Sequence, residues 1–188
     1  MLRRAFVSGA AAALAAFAVP ALAAPAAAKK ARRVAVVYFS RTGHTRSVAK
    51  AVQKMTGADL YELQLAEPYP SEYRRTTEIV KEEIARGYYR PVKPIAIDLS
   101  RYDTLVIGTP TWWHHVSGPV RSWIGTAKPA GKTILPFNNH GGGGMMETRS
   151  DFEQLLKGNR LGTHLTIFGE TEESSSEVRL WLQENGLV

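Results

Sequence analysis

The hexapeptide Ser-Arg-Thr-Gly-His-Thr at residues 40–45 follows the apolar run at residues 34–39, and it contains three hydroxyl side chains, one glycine and no lysine. Where such a turn opens a helix, backbone N–H groups converge and the helix dipole favours an anion. Gly43 permits a tight turn and a close approach of the backbone to a ligand. Such a turn can hold a phosphate monoester without a cationic partner.

The composition of this turn excludes two other phosphate-binding motifs. A dinucleotide fingerprint needs three glycines in the pattern GxGxxG, and a nucleotide triphosphatase needs Gly-Lys-Ser/Thr at the turn. Neither pattern occurs in residues 40–45. The alternative interpretation is an ordinary capped helix start, because Ser and Thr cap helices in proteins of every function.

Two further loops have side chains that suit a planar heteroaromatic ligand. The apolar strand predicted at residues 102–108 leads into Thr-Pro-Thr-Trp-Trp-His-His, and an aromatic ligand would cover one of these two exposed tryptophans. The strand predicted at residues 133–137 leads into Asn-Asn-His followed by four glycines. The amides and unhindered backbone of this third loop suit the polar edge of a ring.

The elements that must position these loops alternate between strand and helix. Strands are predicted at 34–39, 58–65, 102–108, 133–137 and 161–168, and helices at 45–54, 70–84, 118–126, 147–157 and 174–184. Near-continuous apolar strands alternating with helices indicate a parallel sheet covered on both faces. Right-handed crossovers then give a three-layer α/β/α sandwich with a five-stranded parallel sheet of order 2-1-3-4-5, whose ligand site lies at the carboxyl ends of the strands.

With three such loops in this order, residues 33–188 resemble the flavodoxins, within the branch that has Gly-Thr-Pro-x-Trp-Trp in the second loop. The resemblance implies a flavodoxin-like fold and a noncovalently bound FMN, with no metal and no catalytic side chain assigned. The implied phosphate-binding residues are Ser40, Arg41, Thr42, Gly43, His44 and Thr45. The isoalloxazine would lie against Pro110, Thr111, Trp112 and Trp113, and its pyrimidine end against Asn138, Asn139, His140, Gly141 and Gly142.

The resemblance implies a redox protein that carries electrons through bound FMN. The alternative is an FMN-dependent NAD(P)H or quinone oxidoreductase. Trp113, where many carriers have glycine, the near-neutral body and the long segment at residues 67–97 favour that alternative. A third possibility is a flavin-free interaction domain on the same fold. His44 also departs from the family pattern, because it replaces an asparagine and would add positive charge beside the phosphate when protonated.

The N-terminal sequence predicts export. Residues 1–23 combine Arg3-Arg4, an apolar alanine-rich middle and a small-x-small site, which is typical of a cleaved signal peptide. The arginine pair followed by Phe6-Val7 resembles a twin-arginine signal, a receptor-read address associated with folded cargo. The predicted organisation is therefore a signal peptide at 1–23, a basic linker at 24–33 and a flavodoxin-like domain at 34–188, located in the periplasm or otherwise exported. The short apolar middle argues against a permanent membrane span.

Charge and composition exclude other classes of protein. Six of the 24 Lys and Arg residues precede residue 34, which leaves 18 against 17 Asp and Glu, a net charge of +1. The body is therefore not predicted to bind nucleic acid. The chain has no cysteine, which excludes disulfides and thiolate ligands.

The loop histidines suggest a metal site as an alternative, and the second loop suggests a contact between two copies of the chain. A metal site on the loop histidines (His44, His114, His115 and His140) is not favoured, because no carboxylate lies beside them in these loops and their spacing matches no familiar ligand set. His164 is predicted to be structural. The predicted partners are a redox protein or a quinone, and Trp112, Trp113 and residues 91–94 offer a possible homodimer contact.

Overall fold

The computed structural model describes Met1 and residues 33–188. Apart from Met1, the predicted export signal lies outside the described residues. The same is true of the predicted linker, of which only Arg33 is described. No helix among the described residues has the length and apolar character that crossing a membrane requires.

Strands and helices alternate along residues 33–188. The elements are β1 (Val34–Tyr38), α1 (His44–Thr56), β2 (Asp59–Glu62), α2 (Tyr73–Ala85), β3 (Thr104–Trp112), β4 (His115–Val116), α3 (Gly118–Ala127), β5 (Thr133–His140), α4 (Thr148–Leu155), β6 (Arg160–Leu161), β7 (Leu165–Phe168) and α5 (Ser176–Glu184). A single 3₁₀ turn at Leu99–Arg101 precedes β3. The predicted α/β class and alternation are confirmed.

The central strand of the sheet is β3, which pairs in parallel with β1 on one side and with β5 on the other. Strand β2 pairs in parallel with the outer edge of β1, and β6 and β7 both pair in parallel with β5. The five parallel positions therefore follow the predicted order 2-1-3-4-5, with the last position filled by two short strands.

The predicted count of five strands is wrong, because the described sheet has seven. The predicted last strand, residues 161–168, is interrupted at Thr163, whose backbone is bonded by helix α5 instead of by β5. The indole Nε1 of Trp181 donates to the Thr163 carbonyl at 2.8 Å, and the Thr163 N–H donates to the Asn185 side-chain oxygen at 3.1 Å. The seventh strand is β4, which turns back from β3 to form an antiparallel pair.

Two strands extend further than predicted, into the loops of the candidate site. Strand β3 continues four residues past Gly108 to Trp112, and β5 continues to His140. Both extensions are held by parallel pairing, Thr109 with Asn138 and Pro110 with Asn139. Gly and Pro are local signals for a turn, but here the ladder between neighbouring strands decides the conformation.

Two apolar layers cover the sheet, and alternate residues of β1 point into each. Val36 packs with residues of α1 and α5, including Val52 and Leu182. Val37 packs on the opposite face with residues of α3 and α4, including Val120 and Phe152. Residues 33–188 therefore form a three-layer α/β/α sandwich, as predicted, and the parallel strands end at one edge of the sheet.

Candidate functional site

The carboxyl ends of β1, β3 and β5 open into one cleft of about 610 Å³. This volume lies within the range of small-molecule and cofactor pockets. All three predicted loops contribute to it, and so does helix α2. The lining residues are Arg41, Thr42, His44, Thr45, Tyr73, Thr76, Thr77, Val80, Pro110, Thr111, Trp112, Trp113, Asn139, His140 and Gly141.

The turn at residues 40–45 opens helix α1 as predicted. The Ser40 hydroxyl accepts the N–H groups of Gly43 at 3.1 Å and Arg46 at 3.3 Å, so this side chain holds the turn in shape. Gly43 lies at φ 103°, in the left-handed region. The N–H groups of His44 and Thr45 are the first two of the helix, where no intrahelical acceptor exists. They are therefore available to a ligand in the cleft.

Arg41 connects this turn to helix α2. Its Nη2 atom donates to the Ser71 carbonyl at 2.8 Å and to the Pro70 carbonyl at 3.3 Å. The guanidinium also lies 5.9 Å from the centre of the Tyr73 ring. The Arg41 side chain therefore fixes the start of α2 against the turn at residues 40–45, and α2 becomes one wall of the cleft.

The second loop is a tight hairpin between β3 and β4. Trp112 pairs with His115 across the turn, and Trp113 and His114 occupy the two central positions at φ 46° and 74°. Such turns favour Asn and Gly because both central residues need positive φ. Two side chains of this size in that region cost on the order of 1 kcal/mol each. Other contacts must therefore hold the hairpin in this conformation.

Three contacts hold the hairpin tip. The Trp113 indole N–H donates to the Thr77 carbonyl of α2 at 2.9 Å, and the Lys81 ammonium lies 5.3 Å from the centre of the indole ring. On the other side, the N–H of Glu147 donates to the His114 carbonyl at 3.0 Å. The Trp113 side chain thereby joins the hairpin to α2 at the rim of the cleft.

The base of the hairpin is fixed by the buried carboxylate of Asp151 in α4. This carboxylate accepts the Val116 N–H at 2.9 Å, lies 3.1 Å from Nδ1 of His115 and forms an ion pair with Arg121. Sequence reasoning missed the carboxylate beside His115, because Asp151 lies 36 residues further along the chain. Among residues 33–188, no cluster of three or more His, Asp or Glu side chains could hold a metal ion.

Trp112 is enclosed within its own chain. Its ring makes edge contacts with Phe39 and Tyr69, with centroids 5.5 and 5.4 Å apart. It is half-buried and lines the cleft. These contacts hold the Trp112 ring at the cleft wall.

The third loop is organised by Asn138, which is fully buried. Its amide nitrogen donates to the Thr111 hydroxyl at 2.7 Å and to the Gly144 carbonyl at 3.0 Å. Its amide oxygen accepts from Nε2 of His164 at 2.8 Å and from the Thr166 hydroxyl. Asn138 therefore joins the second loop, the third loop and strand β7, and its amide is occupied by protein partners.

The structure brings most of the predicted site residues to the cleft. Eleven of the fifteen line it, from Arg41 to Gly141, whereas Ser40, Gly43, Asn138 and Gly142 shape the surrounding turns. Four lining residues were not predicted, and all lie on α2: Tyr73, Thr76, Thr77 and Val80. Spacing places these four residues on one face of α2, but the sequence contains no local signal that this face meets the sheet edge.

The flavodoxin family model matches residues 33–185, which include all the described strands and helices. The chain belongs to the flavodoxin family. The three loops therefore lie at the carboxyl edge of a flavodoxin sheet.

Solved structures with this fold come from several bacteria. A Bacteroides uniformis protein described as a candidate flavoprotein is 25% identical with a TM-score of 0.70, and the match covers 82% of this chain and 99% of that one. A Lactobacillus acidophilus flavoprotein, solved in complex with FMN, is 20% identical with a TM-score of 0.66 and coverages of 80% and 99%. These similarities establish the flavodoxin-like fold.

A curated relative from Rhizobium meliloti, NAD(P)H dehydrogenase (quinone) 3, is 30% identical over 101 residues. The match covers 49% of this flavodoxin and 42% of the relative. The flavodoxin thus spans less than half of that relative's length.

His164, whose side chain is bonded to Asn138 of the third loop, makes the free energy of unfolding depend on pH. Burial, and secondly the charge of Arg149, lower its pKa from 6.5 to about 4. Its Nε2 is directed at the Asn138 oxygen, so Nε2 carries the proton, because the Asn138 amide nitrogen already donates elsewhere. Its Nδ1 is buried without a hydrogen-bond partner among the described residues. A proton on Nδ1 would therefore place an unpaired charged donor in the interior.

We expect the free energy of unfolding to fall as the pH is lowered from about 6.5 to about 4, because the unfolded chain protonates His164 while the folded chain does not. The loss is on the order of 2–3 kcal/mol. Urea denaturation at several pH values measures it. His164→Gln retains a side-chain donor and does not titrate, so its stability should decline less across this interval. Equal declines in the two proteins would contradict the assignment.

Proposed function

We propose that this flavodoxin binds FMN noncovalently in the cleft and acts as a redox protein. The observation that supports the proposal is the convergence of three chemically different walls on one cleft. A phosphate-type turn at residues 40–45, an aromatic hairpin around Trp112 and an amide-rich loop at Asn139 meet at one edge of the sheet. Each wall matches a different part of FMN: the phosphate, the ring plane and the polar ring edge.

The chemistry of the lining fits a phosphate-bearing flavin. The first turn of α1 contains no acidic residue to compete with an anion. Among the described residues, no Asp or Glu lines the cleft. The N–H groups of His44 and Thr45 and the hydroxyl of Thr42 provide donors there. An anionic group would therefore meet donors and a favourable helix dipole without carboxylate repulsion.

Bound FMN would supply the capacity to accept and release electrons. The chain would supply binding and orientation. Trp112 and Pro110 would cover the ring, Asn139 and His140 would face its polar edge, and Trp113 would limit the entry of water by joining the hairpin to α2. Asn138 would act indirectly by holding Thr111 in place.

A second candidate function is an FMN-dependent oxidoreductase that uses NAD(P)H or a quinone. The Rhizobium meliloti relative is named as a quinone-dependent NAD(P)H dehydrogenase, which supports this candidate. Helix α2 also adds the apolar groups of Tyr73 and Val80 to the cleft lining, which offers surface to a planar acceptor. Electron transfer to a protein partner requires no such space.

We also propose that the protein is exported in folded form. FMN is made inside the cell, and a cleft formed by three separate loops requires the folded sheet. The arginine pair Arg3-Arg4, which lies outside the described residues, matches a signal for folded cargo. The proposal rests on the sequence and on the requirement that the protein fold and bind FMN before it leaves the cell.

Gly43→Ala tests FMN binding at the phosphate-type turn. Alanine at φ 103° strains the turn, and we expect the affinity for FMN to fall at least about tenfold. Gly57→Ala is the matched control, because this glycine also has a positive φ, 70°, at the other end of α1, and a Cβ atom there would meet no atom within 4 Å. Fluorescence titration of FMN measures both variants. A wild-type protein that takes up no FMN, or two equal affinities, would contradict the proposal.

A steady-state assay separates the two candidate functions. The FMN-loaded protein is mixed with NADH or NADPH and a soluble quinone, and consumption of the nicotinamide is followed by absorbance. Turnover on the order of 1 per second or faster is typical of an enzyme and would support the oxidoreductase. Failure of both nicotinamides, together with rapid exchange of electrons with a reduced protein donor, would support the carrier.

Replacement of Arg3-Arg4 by two lysines tests the export route. Lysine retains the charge but not the receptor-read pair, so we expect the precursor to accumulate inside the cell. Fractionation of cells followed by immunoblotting measures the distribution. Unchanged export of the lysine variant would rule out the twin-arginine route.

A further inference from the structure

The titratable groups of the cleft are few and carry no negative charge at neutral pH. Arg41, His44, Tyr73 and His140 line it, and within the described part of the chain no carboxylate does. Histidine is the side-chain type among these that ordinarily changes charge between about pH 5 and 8, so His44 and His140 are the candidates for a pH-dependent contact with an anion.

Both arginines near the turn already have partners. Arg46 forms an ion pair with the Glu62 carboxylate, to which it donates through Nε at 3.0 Å and through Nη2 at 2.5 Å. Arg41 is directed at carbonyls before α2, with its Nη2 atom 2.8 Å from the Ser71 oxygen. Their charges are also permanent. Neither arginine can therefore make the affinity for a phosphate depend on pH.

The two cleft histidines differ in their hydrogen bonds. Nδ1 of His140 accepts the N–H of Gly142 at 3.1 Å, and protonation of Nδ1 would break this bond. The imidazole of His44 has no hydrogen-bond partner among residues 33–188, and its side chain is exposed at the mouth of the cleft. It is also the first residue of α1, beside the helix N–H groups that would meet a phosphate.

We propose that the His44 imidazolium pairs with the phosphate monoester of the flavin, so that protonation of His44 sets the preference of the cleft for FMN over riboflavin. This inference rests on the proposed FMN site. An opposite charge nearby favours the protonated imidazole. By linkage, binding of the phosphate and uptake of the proton strengthen each other. A histidine beside these N–H groups would thus make the affinity of the cleft for a phosphate depend on pH.

Several other titratable groups face the turn. They are Arg41 in the turn, Arg46 and Lys50 of α1, Glu62 of β2, Tyr73 of α2, and Glu170, Glu172 and Glu173 after β7. Arginine, lysine, tyrosine and glutamate side chains ordinarily titrate outside the range from about pH 6.5 to 8. The phosphate has its second ionisation at about pH 6. Its own proton uptake at lower pH reduces its charge and so opposes the gain in affinity from His44.

The test compares FMN with riboflavin, which has the same ring and no phosphate, by fluorescence titration of the full chain at pH 8 and 6.5. We expect the ratio of the riboflavin dissociation constant to that of FMN to rise about threefold to tenfold in the wild type as the pH falls. In His44→Asn the ratio should stay level or fall, because only the phosphate titrates. In His44→Lys it should be high at both values.

His114→Asn is the matched control, because it makes the same chemical change at an exposed histidine that does not line the cleft. Its asparagine also tolerates the φ of 74° at this position. We expect this variant to retain the wild-type rise in the ratio. Calorimetry in buffers of different ionisation enthalpy adds a direct measurement: near pH 7, FMN should drive more proton uptake in the wild type than in His44→Asn, and riboflavin should drive none.

Two results would overturn the inference, and they are distinguishable. If the wild type and His44→Asn show the same pH dependence and the same proton uptake while FMN binds, the phosphate is not paired with His44 and the proposed FMN site remains. If neither FMN nor riboflavin binds at any pH, the proposed function itself is wrong and the inference fails with it.

Discussion

The parallel pairing of β3 with both β1 and β5 is the constraint on which the candidate site depends. Parallel strands joined in register must end at the same edge, so the three segments that follow them meet there whatever their sequences. Residues 104–110 form one ladder that continues past Gly108, and pairing of Pro110 with Asn139 brings the second and third loops together. Gly108 of β3 lies close to the Phe137 ring of β5, because a Cβ atom at position 108 would lie 2.1–2.8 Å from atoms of that ring.

The loops themselves are held by long-range contacts more than by their own sequences. Trp113 and His114 adopt a turn that favours glycine, and the hairpin is stabilised by α2 on one side and α4 on the other. Asn138 similarly satisfies its amide on partners from three segments. An unpaired buried amide costs about 1–3 kcal/mol, so the network favours a single loop arrangement. A rigid cleft wall reduces the cost of ordering when a ligand binds.

The electrostatics of the cleft complement this rigidity. The helix dipole of α1 and its free N–H groups favour an anion at the proposed phosphate site, and the nearby Arg46 is paired with Glu62. Backbone N–H groups carry only partial charges. One charged side chain beside them would therefore change the attraction for an anion by a large fraction. His44 occupies that edge, at the first residue of α1. Residues 34–188 have a net charge of only +1, so their long-range electrostatic field adds little to these local interactions.

Sequence alone determined the α/β class, the order of the parallel positions and the three turns, because apolar runs and turn residues are local signals. It could not determine that Thr163 leaves the sheet, since that depends on Trp181 in a helix that forms later in the chain. The α2 wall at Thr77 and the carboxylate of Asp151 beside His115 were likewise missed. These contacts join residues about 20 to 40 positions apart, and only the packed layers bring them within bonding distance.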